Sequence, residues 1–167
     1  MKTLRFAQLA LLASAVLFLL LVVFNNVTDY GSNLQFIQHV LTMDTTFPGN
    51  SGLWRAIPSP AVHRLFYFTI IFWEAGTAAI MAIGVWRLWQ TRQAPRIAWN
   101  LAKSLGTLGL VLSMLQWSVF FLCVGGEWFL MWQSKIWNGQ EAAFRNFVLM
   151  GVILIILQLR DPDDHAA

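Results

Sequence analysis

Nothing constrains this chain more than its long uncharged apolar runs. From Phe6 to Phe24 no side chain carries a charge, and the run closes on "VLFLLLVVF". An α-helix needs about 20 predominantly apolar residues to cross a bilayer. Four segments reach or approach that length, at about residues 4–24, 65–86, 101–124 and 145–159. With 57% hydrophobic and 11% charged residues, the chain has too little polar surface to cover them in water. The expected fold is an all-α membrane protein. It is a four-transmembrane-helix bundle with a long structured extracytoplasmic loop between helices 1 and 2.

Lys2 and Arg5 precede the first run and "ASA" lies at residues 13–15, an arrangement that imitates a signal peptide. The run continues well past those small residues, so it reads as the first spanning helix rather than a cleaved leader. No internal repeat, low-complexity stretch or flexible linker interrupts residues 1–167, which are expected to form a single integral membrane domain.

Orientation follows from the Lys and Arg bias of the short loops. One side carries Lys2, Arg5, Arg87, Arg92, Arg96, Lys103 and Arg160, seven in all, against four on the other: Arg55, Arg64, Lys135 and Arg145. Both termini are therefore expected in the cytoplasm, with loops 25–61 and 126–143 outside. The net charge of +3 is this topological bias, and no nucleic-acid surface is read into it. The single cysteine, Cys123, excludes an internal disulfide and a CxxC metal motif and is expected to be a buried packing residue near the end of helix 3.

The first outer loop is patterned. In "GSNLQFIQHVLTMDTTFPGN", Ser32 or Asn33 offers a helix cap, Leu34, Ile37 and Leu41 share a face, and Pro48 and Gly49 end the pattern. A short helix lying on the membrane surface is expected there. It is followed by Trp54 and Arg55 at interfacial depth, and then by two prolines that force an extended entry into helix 2.

Helix 2 places Glu74 near the bilayer midplane, where an ionised carboxylate costs several kcal/mol unless paired or hydrated. At about 100° per residue, His63 and Glu74 fall within about 20° of each other, and Tyr67 lies at a similar offset. With Thr77 they form a polar stripe that has to face protein. Gln116 and Ser113 of helix 3 are positioned to answer it. The structural reading is a protonated Glu74 hydrogen-bonded to Gln116 and fixing helix register; the functional one is binding or proton movement.

The segment "GGEWFLMWQSKIWNGQEAAFR", residues 125–145, sets Trp128, Trp132 and Trp137 at the outer interface. An aromatic belt accounts for these rings but not for Glu127, Lys135, Glu141 and Arg145 among them. Together with His39, Asp44, Trp54, Arg55 and His63 of the first loop, they are expected to form a polar and aromatic outer surface. That surface is either a binding site or a clamp between two loops. Within it Arg145 is expected to pair with Glu127 or, at helical spacing, with Glu141. No HxxxH or ExxH spacing supports a metal or haem, so no cofactor and no metal are expected.

"NNVTDYGSN", "FIQHVLTMDTTFP", "LWRAI", "FWEAG" and above all the residue 125–145 segment resemble a bacterial family of predicted small integral membrane proteins, a domain of unknown function with four predicted helices. The resemblance covers nearly the whole chain. It implies the fold and a location in the bacterial inner membrane, and no activity.

Three classes of function remain. The first is a non-catalytic scaffold or accessory subunit that binds a ligand, a membrane-protein partner or a second copy of itself at its outer face. The second is a small transporter or proton-coupled binder centred on Glu74. The third is a membrane enzyme or redox subunit using the outer histidines, for which no diagnostic nucleophile and base spacing is present.

Overall fold

The structure, a computed structural model, describes residues 3–161. Lys2, counted in the charge asymmetry, lies outside them, as do the two ends of the expected domain. The elements are α1 (Thr3–Thr28), α2 (Tyr30–Thr42), a 3-10 turn (Leu53–Arg55), α3 (Pro60–Thr91), α4 (Arg96–Ala102) and α5 (Ser104–Leu115). Helix α5 runs on as a π-helix, Gln116–Trp128, followed by a 3-10 turn, Met131–Gln133, and α6 (Gln140–Gln158). Four helical units are long and apolar enough to cross a membrane: α1, α3, the continuous Arg96–Trp128 unit and α6.

Each of these units extends beyond the span read from hydropathy. Apolar length marks the part of a helix that can sit in hydrocarbon. The backbone ladder continues through polar residues until a breaker intervenes. Thus α1 passes Phe24 and takes in Asn25, Asn26 and Thr28, while α3 begins at Pro60, whose missing N–H costs nothing in the first turn. Helix α6 starts at Gln140 rather than 145.

A short helix is present in the first loop, as expected, with different ends. It starts after Asp29, so neither Ser32 nor Asn33 caps it, and a single residue separates it from α1. It stops at Thr42, where Met43 takes a left-handed conformation (φ 56°) and donates its N–H to the Val40 carbonyl, well before Pro48. Ile37, Val40 and Leu41 are buried, forming a small core with Tyr67 and Ile70 of α3 and with Phe129 and Met131.

The main core lies toward the other end of the bundle. Leu9, Leu12, Val16 and Leu19 of α1 pack with Met81 and Leu88 of α3, Leu110 of α5, and Met150, Ile153 and Leu157 of α6. Helices α3 and α5 approach backbone to backbone: a Cβ on Gly84 would lie 2.6 Å from the Gly106 nitrogen. Small residues at such crossings replace the hydrophobic drive that is missing in lipid by close van der Waals contact.

Buried polar clasps close this end. Arg5 Nε and Nη2 donate to Asp161 at 2.9 and 2.6 Å, and Nη1 donates to the carbonyls of Arg92 and Ala94. The Gln8 amide nitrogen sits 3.0, 3.2 and 2.9 Å from the carbonyls of Ile156, Leu157 and Leu159, and its oxygen accepts the Trp99 indole N–H at 3.1 Å. Lys103 donates to the Leu159 carbonyl at 2.9 Å. The Gln8 and Lys103 bonds fall on carbonyls at the end of α6, where the helical ladder runs out. The clasps also bring the start of α1, the end of α6 and the α3–α4 connection to one end of the bundle, while the α1–α3 and π–α6 connections meet at the other.

Candidate functional site

The polar stripe of α3 faces protein along its whole length: His63, Tyr67, Glu74 and Thr77 are all buried. Glu74 is 1% exposed. Gln116, the first residue of the π-helix, donates its amide to Glu74 Oε1 at 2.6 Å, the bond expected from the sequence. The other oxygen, Oε2, accepts the Asn26 amide, also at 2.6 Å. Tyr67 completes the cluster, its hydroxyl donating to the Asn26 carbonyl at 2.9 Å, with the Asn26 side-chain oxygen at 3.2 Å.

Thus α1, α3 and the π-helix meet on one carboxylate. Among the described residues no cationic side chain bonds it. Its two amide partners suit an anion, each carboxylate oxygen taking an N–H. The Gln116 oxygen, buried and without a donor, gives the group a second state. Rotating that amide would present the oxygen to a carboxyl proton with no movement of the backbone.

A cavity of about 270 Å³ lies beside this cluster. Ile37, Tyr67, Ile70, Glu74 and Trp117 are its buried members, α2 also contributes Asn33 and Phe36, and α1 and α6 supply Val22, Asn26, Ala142 and Asn146. Near the clasps α1 and α6 share the main core, whereas here both line the cavity. A second cavity, about 180 Å³, is walled by Phe72, Trp73, Gly76, Thr77, Ile80 and Leu112 and holds no titratable group.

The outer residues do not assemble into one network. His39 Nδ1 pairs with Asp44 at 2.8 Å, and its ring stacks on Trp137 with centroids 4.5 Å apart. Arg55 lies over Trp54 and Trp128, whose rings meet edge to face at 5.9 Å. Trp132 contacts Phe47. His63 turns inward from this surface and donates Nε2–H to the Ile57 carbonyl at 2.7 Å. Glu127, Lys135, Glu141 and Arg145 are exposed, and among the described residues Arg145 makes no ion pair with Glu127 or Glu141. Exposed long side chains gain little from pairing in water and lose rotamer freedom by it, so sequence proximity alone does not fix them.

These ring contacts join the two loops, and the hydrogen bonds between the loops come from other residues. Thr45 donates to Ser134 Oγ at 2.9 Å, and the Gln133 side-chain oxygen accepts from the Phe47 backbone N–H and the Asn50 amide. Sequence reasoning missed these, and it missed Asn26, because neutral amides and hydroxyls in a segment rich in charge and tryptophan carry no distinguishing pattern. The one available signal for Asn26 was its place in "NN", directly after an apolar helix. Cys123, expected to be buried, is exposed on the π-helix. Among the described residues no three His, Cys, Asp or Glu side chains converge as a metal ion would require.

A helical bundle of spanning length, closed by polar clasps at one end and holding a buried, amide-bonded acid between three helices, defines an integral membrane protein with a polar cluster in its interior. The chain belongs to the family described as predicted small integral membrane protein (DUF2165), which matches residues 4–160. No curated protein and no solved structure matches it.

Proposed function

We propose that this is a non-catalytic membrane protein that binds a small ligand in the cleft beside Glu74. The observation that carries the reading is the conjunction of a 1%-exposed carboxylate with an adjoining cavity of about 270 Å³ lined by apolar and aromatic side chains and by Asn26, Asn33 and Asn146. Ligand sites are concave and mostly apolar, with a few placed polar groups, and run from about 300 Å³ upward. This cleft lies at the lower edge, the size of a small molecule or a lipid headgroup. The charge asymmetry further supports an orientation with both termini cytoplasmic in a bacterial inner membrane and the cleft in the outer half of the bilayer.

The test is native mass spectrometry of protein released from its own membranes, comparing wild type with Ala142→Trp, which fills the cleft. A non-protein mass retained by the wild type and lost in the folded variant is expected. Wild-type protein that emerges consistently empty, and melts no higher than the filled variant, would refute the reading. A second reading, a partner subunit against the outer face, draws on the exposed Glu127, Lys135, Glu141 and Arg145. Co-purification of a stoichiometric protein that survives Ala142→Trp but not reversal of those charges would favour it.

A further inference from the structure

The chemistry of the cleft lining narrows the ligand, on the reading that the cleft is a binding site. We propose that it takes an organic ammonium ion, seated with its charge toward Glu74 and its carbon substituents against the rings of Phe36, Tyr67, Trp117 and Phe121.

The lining contains a single carboxylate, the buried Glu74, and neither Lys nor Arg. An anionic ligand would therefore meet a carboxylate with no countercharge, in surroundings where such repulsion is weakly screened. A small metal ion is disfavoured for a different reason. It needs about six oxygen ligands, whereas both Glu74 oxygens already face amide N–H groups from Asn26 and Gln116. Those hydrogens would point toward the ion.

An alkylated ammonium asks for neither hydrogen bonds nor a full coordination shell. Its charge is spread over carbon substituents that prefer apolar contact, and aromatic rings attract it through their quadrupoles. Such rings are grouped here: Trp117 and Phe121 have centroids 5.0 Å apart, and Phe36 and Phe121 6.3 Å. A neutral molecule of the same shape would fill the space and gain nothing from the acid. The Gln116 amide is the one adjustable part, turning its nitrogen to the carboxylate when a cation is seated and its oxygen when Glu74 carries a proton.

Benzyltrimethylammonium is a suitable probe, because its carbon isostere, neopentylbenzene, differs only in charge. Binding to full-length protein in an uncharged detergent is measured by calorimetry and thermal shift, for wild type, Glu74→Gln and Ala142→Trp. Saturable binding of the cation is expected, at least about tenfold tighter than the isostere. Glu74→Gln should abolish that preference while remaining folded by circular dichroism, and Ala142→Trp should block both compounds. If cation and isostere bind equally and Ala142→Trp blocks both, the cleft reading stands and the ammonium inference falls. If the wild type retains a native ligand but the cation neither binds nor displaces it, the inference likewise falls. If neither probe binds and no native ligand is retained, both readings fail. Should Glu74→Gln not fold, Glu74→Met replaces it, with the same loss of preference expected. Competition by short-chain phosphatidylcholine but not by phosphatidylglycerol would assign the source to a lipid headgroup; no competition would assign it to a free cation.

Discussion

Replacing Gln8 by Met keeps the length and volume of the side chain while removing every polar bond it makes at the clasped end. Its oxygen is the acceptor for the Trp99 indole, and Trp99 is fully buried, so the abandoned N–H has no access to water. An orphaned buried donor costs about 1–3 kcal/mol. The amide nitrogen has two hydrogens for the carbonyls of Ile156, Leu157 and Leu159, each such bond contributing about 0.5–1.5 kcal/mol net. Gln8→Met should therefore cost about 2–6 kcal/mol. Trp99→Phe, which retains a ring beneath Arg5, strands the Gln8 oxygen instead. In the double variant, donor and acceptor vanish together, so its cost should fall short of the summed single costs. Double-mutant cycles within membrane helix bundles average about 0.6 and reach about 1.7 kcal/mol. A fully buried pair belongs in the upper part of that range, at about 1–1.7 kcal/mol. The assay is reversible unfolding in mixed micelles, followed by helicity. Additivity within about 0.5 kcal/mol, or a Gln8→Met protein as stable as wild type, would refute the reasoning.

Glu74→Gln should be as stable as the wild type or more so in thermal melts, because the Gln116 amide has a free oxygen with which to answer the new N–H; a large fall in melting temperature would show that the charge itself holds the helices. Gly84→Ala should destabilise by about 1–3 kcal/mol, since the added methyl meets the backbone of Gly106 at 2.6 Å and that backbone cannot turn aside as a side chain would; an unchanged melt would contradict the close crossing. Ser134→Ala should raise hydrogen exchange across residues 44–50 and at Trp137 by releasing the loop clamp, whereas unchanged exchange there would mean the loops are held by packing alone. Ser51→Cys in a Cys123→Ala background should be labelled from outside intact cells by an impermeant reagent; labelling only after lysis would reverse the orientation.

Much of this architecture is legible in the sequence because hydrocarbon imposes a blunt rule: every spanning backbone must be helical and apolar over a known length. Glu74 and Gln116 could be paired in advance for the same reason. Each is a polar intrusion in its span, and lipid offers neither a partner. Asn26 escaped because it lies just beyond the apolar stretch, where water is an equally plausible neighbour, and only the overrun of α1 turns it inward. The π-winding that begins at Gln116 has no periodicity signal in "QWSVFFLCVGGEW", whose few polar residues are too far apart to mark a face. The outer charges were the least legible of all, because in water their pairing energies are comparable to the entropy lost in forming them.

The Arg5–Asp161 clasp joins positions 156 apart, and so has a bearing on how the protein is made. At about 5–20 residues per second, Arg5 leaves the ribosome on the order of ten seconds or more before its counter-ion exists. Throughout that interval the guanidinium has to be kept near the lipid headgroups by its own flexible stem, and the first helix is docked without its final lock. A cellular surveillance system that recognises unpaired charge in nascent helices would see this chain as unfinished until its last spanning segment had been threaded. A nonsense or frameshift product ending before Asp161 would keep that signal permanently and should be degraded rather than accumulate.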